Sequence, residues 1–271
     1  MELKKRILVA PLNWGLGHAT RCMPIINALL ENNFAPILAS DGASLELLNK
    51  EFPELKAIQL PSYNIKYAKK GKNFKLKLIM DSPKLLKSIK AEKSFIKNLL
   101  ATESIDGIIS DNRFGVYSKK VPSVFITHQL NVLSGSTSFL STKVHQNIIK
   151  KFNQCWVPDV EFEPNLSGKL GHLQRSNLNL RYIGPLSRFT KVASTLKYDL
   201  LVLLSGPEPQ RTIIEEIIIK ELKDYKGSVV FVKGKVENRQ VKSQQGKITF
   251  YNFMTTEELG RTINKSKMVL S

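Results

Sequence analysis

The sequence has few cysteines, few acidic residues and no long apolar run. Its two cysteines, Cys22 and Cys155, form neither a disulfide framework nor a metal-binding spacing, so a reducing cytoplasm is the expected setting. No apolar segment approaches the roughly 20 residues of a transmembrane helix, and the first residues show no signal-peptide core. Gly-x-Ser-x-Gly and P-loop patterns are also lacking, as is any metal-ligand spacing. We therefore expect neither a metal nor a cofactor.

The shortage of acids leaves a strongly basic chain, with 41 Lys and Arg against 23 Asp and Glu and a formal net charge of +18. The window 63–97 contains eleven lysines and two acids, and its apolar spacing indicates an amphipathic helix interrupted near Pro83. Such a segment is typical of a solvated helix face or of a helix on an anionic membrane. Nearly all of its charge is lysine, without arginine or an aromatic platform, so we expect no nucleic-acid partner.

The order of apolar and helical segments predicts an α/β fold. In the first part of the chain, strands are predicted near 6–11, 35–39, 56–60, 106–110, 122–127, 154–157 and 180–183, and helices near 19–32, 43–51, 74–100 and 137–152. The pattern then restarts, with strands near 198–204, 228–232, 247–250 and 267–270 and helices after Pro209 and near 255–265. Alternation of this kind predicts mostly parallel sheets with helices on both faces.

The chain length of 271 residues favours two domains. The prediction is an N-terminal domain over 1–186, a linker over 187–197 and a partial C-terminal domain over 198–271. The second pattern has about four strands and fewer residues than a doubly wound domain needs, so we expect it to be truncated at the C-terminus.

The opening segment carries the strongest functional signal. A short apolar strand leads into Asn-Trp-Gly15-Leu-Gly17-His18, and a helical pattern follows at once. This arrangement presents backbone N–H groups and a helix N-terminus to an anionic ligand, and His18 adds a candidate base. The alternatives are that the two glycines only shape a tight turn and that His18 only bonds to the backbone.

Polar residues follow several other predicted strands, where a parallel sheet places its ligands. They are Asp111, Asn112, Arg113 and His128 in the first part of the chain, and Ser205, Gly206 and Arg211 in the second. Each has a structural alternative: Asp111 as a helix N-cap, Arg113 as an ion-pair partner, His128 as a packing residue, and Ser205-Gly206 as an ordinary turn. Arg211 opposes the dipole at a helix start, which favours a bound anion there.

These motifs resemble those of the two-domain (GT-B) nucleotide-sugar glycosyltransferases, in particular the family-28 group related to the peptidoglycan N-acetylglucosaminyltransferase. The resemblance is specific at 15–21, 110–115 and 204–211. It implies that the N-terminal domain faces the acceptor and that the C-terminal domain holds the nucleotide diphosphate. Two features depart from that enzyme: its loop is richer in glycine, and its histidine is not followed by Ala-Thr-Arg.

The resemblance implies a role for each site residue. His18 and Asp111 are the expected catalytic residues; the acceptor side is expected to comprise Gly15, Gly17, Asn112, Arg113 and His128, and the nucleotide side Ser205, Gly206, Arg211, Asn252, Phe253 and Met254. The implied reaction is inverting transfer of a sugar from a UDP-type donor to a cell-envelope glycan or lipid-linked acceptor. We expect the protein to work on the inner membrane face, docked through 63–97. A nucleotide-sugar hydrolase with a similar Gly-x-Gly-His-x-x-Arg loop, or a non-catalytic binding protein, is the alternative.

Overall fold

The protein contains two sheets, each flanked by helices. The structure is a computed structural model that describes residues 4–63, 74–133, 135, 138–173, 176–206 and 208–271, with the backbone alone for 74–82. Part of the basic segment predicted over 63–97 therefore lies outside the described residues. In the rest of the chain, the observed elements follow the predicted order closely.

The first sheet has seven parallel strands in the order β3-β2-β1-β4-β5-β6-β7. Its strands are β1 (Arg6–Pro11), β2 (Ala35–Ser40), β3 (Ala57–Gln59), β4 (Gly107–Asp111), β5 (Ser123–Ile126), β6 (Gln154–Val157) and β7 (Leu180–Tyr182). The connecting helices are α1 (Gly17–Glu31), α2 (Gly42–Glu51), α3 (Phe74–Thr102) and α4 (Ser138–Ile149). The central strands read as continuous apolar runs because both faces of the sheet are covered.

The second sheet has the order β10-β11-β9-β8-β12. Its elements are β8 (Tyr198–Leu203), α5 (Gln210–Glu221), β9 (Val229–Val232), β10 (Lys242–Gln245), β11 (Ile248–Tyr251), α6 (Thr256–Asn264) and β12 (Ser266–Leu270). The strands pair in parallel except for β10 with β11. A capping box at Thr255 and Glu258 fixes the start of α6.

One strand was not predicted from the sequence. The prediction of about four strands in this part of the chain is wrong, because β10 adds a fifth. Its residues are Lys-Ser-Gln-Gln and all four are exposed, so β10 has no apolar alternation to reveal it. The segment 187–197, predicted as a linker, contains neither a helix nor a strand.

The order of the first sheet places its topological switch point between β1 and β4, which pair directly through Pro11 and Asp111. The chain leaves these two strands in opposite directions across the sheet, which opens a crevice at their carboxyl ends. His18 follows β1 at the start of α1, and Asp111 is the last residue of β4. No helix of the described residues is long and apolar enough to span a membrane.

Candidate active site

His18 and Asp111 meet at the switch point. The loop after β1 is held to the end of β4 because Leu12 donates its N–H to the carbonyl of Asp111 at 2.9 Å. His18 is the second residue of α1, and its Nδ1 lies 2.9 Å from Asp111 Oδ1. The Asp111 side chain is fully buried, whereas 16% of the His18 side chain is exposed. No described residue hydrogen-bonds to Nε2 of His18, which leaves that atom available to a ligand.

Arg21 is the second partner of Asp111. Its guanidinium donates from Nε to Asp111 Oδ2 at 2.8 Å and from Nη2 to Oδ1, which makes a bidentate ion pair. Burial raises the pKa of the Asp111 carboxyl, but the charges of Arg21 and His18 and their hydrogen bonds outweigh it, so the pKa lies below its ordinary value. Asp111 is therefore ionised at neutral pH.

The prediction of site residues did not include Arg21. The signal was present in the motif Gly-x-Gly-His-x-x-Arg, since residues three apart on a helix share one face. That spacing places the Arg21 side chain beside His18, with Nη2 at 3.0 Å from His18 Nδ1. Burial lowers the pKa of Arg21, but the charge and hydrogen bonds of Asp111 outweigh burial, so the pKa lies above its ordinary value.

His128 joins the same cluster from the loop after β5. Its Nδ1 lies 2.9 Å from Arg21 Nη1, and the side chain is partly exposed at the wall of a cavity. Burial lowers the pKa of His128, and the nearby charge of Arg21 lowers it further, so the ring is neutral near pH 7. His18, Arg21, Asp111 and His128 thus form one connected group, which we call the His18–His128 cluster.

Arg113 and Asn112 occupy the turn beneath this cluster. The Arg113 side chain is fully buried, and its nitrogens bond to Asp41 Oδ1 at 2.7 Å, to Glu92 Oε1 at 2.7 Å and to the carbonyl of Pro61 at 2.6 Å. The buried guanidinium therefore exposes no N–H group that could bind an acceptor substrate. Asn112 takes a φ of 56° and its N–H reaches the carbonyl of Ile126 at 3.3 Å, so its backbone shapes the turn.

A cavity of about 660 Å³ lies beside the cluster, between the two sheets. From the first sheet's side it is lined by Gly17, Arg21 and His128; from the second, by Ser205, Phe253 and Met254, among others. Most of the remaining lining is leucine, proline and valine. A mostly apolar cavity of this volume with a few convergent polar groups has the size and character of a small-ligand site.

Two glycine turns approach each other at the edge of this cavity. Gly15 has a φ of +75° and Gly206 a φ of +102°. A Cβ atom on Gly15 would lie 3.1 Å from the Cα of Gly206, which is tighter than ordinary contact. Glycine at position 15 therefore lets the loop after β1 approach the turn after β8, while Gly206 is favoured by its positive φ alone.

The other predicted nucleotide-side residues differ in their environment. Arg211 is buried, bonding to Glu215 at 2.9 Å, to the carbonyl of Lys233 at 3.0 Å and to Glu208. Asn252 is also buried and holds the 237–241 loop, since its side chain donates to the Glu237 carboxylate at 2.8 Å and to the carbonyl of Arg239 and accepts from the N–H of Val241. Neither lines the cavity, unlike the two residues that follow Asn252.

Comparison with known proteins supports the fold. No family model and no curated protein sequence matches the chain. Among solved structures, UGT2 of Phytolacca americana complexed with UDP-2fluoro-glucose and pterostilbene is similar with a TM-score of 0.52 and 12% identity, over 100% of this chain and 72% of that one. A UDP-N-acetylglucosamine 2-epimerase described as putative, from Listeria monocytogenes, is similar with a TM-score of 0.58 and 11% identity, over 98% and 74%. These likenesses confirm the predicted α/β fold of two Rossmann-like (GT-B) domains.

Proposed function

We propose that this GT-B chain binds a nucleotide-diphosphate sugar in the cavity between its sheets and transfers the sugar with inversion to an acceptor hydroxyl. The observation that carries the proposal is the contact of 2.9 Å between His18 Nδ1 and the buried carboxylate of Asp111, beside the cavity. Arg21 Nη2 lies 3.0 Å from the same Nδ1, but it donates to Asp111 Oδ1, so we assign the Nδ1 proton of His18 to its contact with the carboxylate. Nε2 is then left as a proton acceptor, which is the form a general base requires.

The reaction follows from that arrangement. The acceptor hydroxyl oxygen attacks the anomeric carbon of the donor while His18 Nε2 takes its proton, and the bond from that carbon to the diphosphate breaks. The positive charge that forms on His18 is stabilised by Asp111, which also keeps the ring oriented. The nucleoside diphosphate leaves with the electron pair of the broken bond. A UDP donor is proposed because the similar UGT2 of Phytolacca americana was solved with UDP-2fluoro-glucose.

The diphosphate is assigned to the Ser205-Gly206 turn and the start of α5. This helix has twelve residues and begins at Gln210, next to the Ser205-Gly206 turn. The positive end of a helix dipole suits a phosphate oxygen. Arg211 supports this turn through its pairs with Glu208 and Glu215, and Phe253 and Met254 supply the apolar wall for the nucleotide base.

Substitution of His18 tests the base role. We expect His18→Ala to lower kcat by about 10²- to 10⁴-fold, which is the usual contribution of a general base. Asp111→Asn should also lower kcat because the neutral amide no longer favours the imidazolium. Asn27→Ala on the exposed face of α1 is the matched control and should leave kcat unchanged. Turnover of His18→Ala within about threefold of wild type would show that the base role is wrong.

Product analysis separates transfer from hydrolysis. The hydrolase alternative remains because the loop Gly15-Leu-Gly-His18-Ala-Thr-Arg21 resembles that of nucleotide-sugar hydrolases. We expect release of nucleoside diphosphate to depend on an added acceptor and to give a glycosylated product. Equal release in water alone, with free sugar as the product, would favour the hydrolase. Binding of the donor without any turnover would favour a non-catalytic binding protein.

The acceptor is proposed to be a cell-envelope glycan or a lipid-linked sugar at an anionic membrane. The described part of α3 exposes Lys84, Lys87, Lys90, Lys93 and Lys97, while Glu92 and Ile96 anchor the helix in the core. Exposed lysines on one helix attract anionic headgroups by charge. Co-sedimentation with phosphatidylglycerol vesicles should be lost at high salt and absent with phosphatidylcholine vesicles. Binding that is insensitive to salt would contradict this mode of docking.

A further inference from the structure

Arg21 contacts the other three members of the His18–His128 cluster through its one planar guanidinium. Its Nε and Nη2 donate to Asp111, Nη2 also lies 3.0 Å from His18 Nδ1, and Nη1 lies 2.9 Å from His128 Nδ1. His18 and Arg21 both lie in the first two turns of α1, whereas Asp111 is the last residue of β4 and His128 follows β5. A single guanidinium therefore links three separate elements of the sheet at the switch point.

The contact with His128 determines where that ring carries its proton. A guanidinium in a protein stays protonated and only donates hydrogen bonds. Nδ1 of His128 must therefore accept from Nη1, and in a neutral imidazole the proton then sits on Nε2. The low pKa of His128, caused by burial and by the charge of Arg21, is consistent with a neutral ring.

His128 lines the cavity, and among the described residues its ring bonds only through Nδ1, so its Nε2–H is left for a ligand. A donor of this kind suits an oxygen that accepts a hydrogen bond, such as a sugar hydroxyl, a carbonyl or a phosphate oxygen. His18 in the proposed mechanism presents the opposite character, since its Nε2 accepts a proton. The two histidines of the cluster thus have complementary hydrogen-bonding roles.

We propose that Arg21 is a positioning residue that fixes His128 in the Nε2–H form, so that the cavity presents a hydrogen-bond donor to an oxygen of the ligand. The same guanidinium holds the Asp111 carboxylate against His18. Only the identity of the ligand rests on the proposed function; the protonation of His128 does not. Lysine cannot replace Arg21, because a single ammonium cannot hydrogen-bond to Asp111 and to His128 at once as the planar guanidinium does.

The direct test is nitrogen NMR of the histidine side chains in the ligand-free protein, with the His128 signals assigned by their loss in His128→Gln. In the wild type, we expect Nε2 of His128 to be protonated and Nδ1 to be unprotonated at pH 7.5. In Arg21→Met, we expect a mixture of the two neutral forms and a higher pKa of His128. Arg181→Met, which removes an exposed arginine on β7, is the matched control and should change neither.

Protonation of Nδ1 in the wild type would overturn the proposal, and so would an unchanged His128 in Arg21→Met. If Arg21→Met does not fold, the wild-type spectrum and that of Arg21→Lys decide. In Arg21→Lys, we also expect a mixture of neutral forms. These spectra need no substrate, so they stay informative even if no nucleotide sugar binds.

A kinetic test follows if the proposed function holds. We expect the loss of kcat/KM caused by Arg21→Met to be at least threefold smaller in the His128→Gln background than in the wild type, because part of the effect of Arg21 passes through His128. Equal losses in the two backgrounds would show that Arg21 does not act through His128.

Discussion

His145 makes the stability of the protein depend on pH. The side chain is 8% exposed, and its ring packs edge-on against Phe114 and Phe125, with centroids at 5.6 Å and 6.1 Å. Its Nε2 has no hydrogen-bond partner among the described residues. Burial lowers the pKa of His145 to about 4, opposed only by a hydrogen bond with the backbone of Gln129. The folded protein therefore holds this ring neutral.

The sign of the effect follows from proton binding. In the unfolded chain, the pKa of a histidine is about 6.5, so between pH 6.5 and 4 the unfolded state binds more protons than the folded state. The free energy of unfolding therefore falls as the pH falls through this window. A pKa shift from about 6.5 to about 4 corresponds to a total loss of about 3 kcal/mol, with about 1.4 kcal/mol lost at pH 5.5.

Urea unfolding at pH 7.5, 5.5 and 4.5 measures this loss. Because other groups also titrate, the wild type is compared at each pH with His145→Gln and His145→Leu, which cannot be protonated at that position. We expect the stability of the wild type to fall relative to both variants by about 2.5 kcal/mol between pH 7.5 and 4.5. A relative change below about 0.5 kcal/mol would show that the buried ring accepts a proton at little cost, contrary to this expectation.

Three further substitutions are expected to change the free energy of unfolding, measured in urea at pH 7.5. Arg113→Met leaves Asp41 and Glu92 buried without their cation, so it should cost about 3–5 kcal/mol. Gly115→Ala should cost more than about 1 kcal/mol, because its Cβ would lie 2.3 Å from the carbonyl oxygen of Ile89. Gly260→Ala should stabilise the protein by about 0.5–1 kcal/mol, because this Cβ meets only ordinary contact inside α6.

Each of these expectations has a control or a contradicting result. Arg6→Met removes a partly exposed ion pair with Glu103 and should cost under about 1 kcal/mol. If Arg113→Met lowered the free energy of unfolding no more than Arg6→Met does, the buried ion pairs of Arg113 would contribute no more than the exposed pair of Arg6. Gly115 and Gly260 control for one another, since both gain the same methyl group. A stabilising Gly115→Ala or a strongly destabilising Gly260→Ala would contradict the packing described here.

Much of the fold could be predicted from the sequence because parallel strands covered on both faces read as short apolar runs. The positions of β1, β4 and β8 followed from such runs, and the polar residues after them could be placed at the carboxyl ends of strands. The sequence could not reveal β10, whose exposed polar residues are held as a strand by pairing with β11 rather than by burial.

The candidate site was harder to predict because it depends on contacts between distant residues. The sequence predicts Arg113 as a site residue after β4, yet its guanidinium pairs with Asp41, 72 residues away, and with Glu92 on α3. Nothing local in the sequence signals those partners. Arg21 shows the opposite case: its spacing from His18 was visible, but only the fold shows that both side chains meet Asp111.

A thermal-shift panel of UDP-, GDP-, dTDP- and CMP-sugars tests whether a nucleotide sugar binds between the sheets. A ligand that binds only the folded state raises its stability, by about 2.7 kcal/mol at one hundred times Kd. We expect a higher Tm with the UDP-sugars and an unchanged Tm with the other nucleotide classes. Unchanged Tm values throughout the panel, together with stabilisation by an oligonucleotide, would contradict binding of a nucleotide sugar.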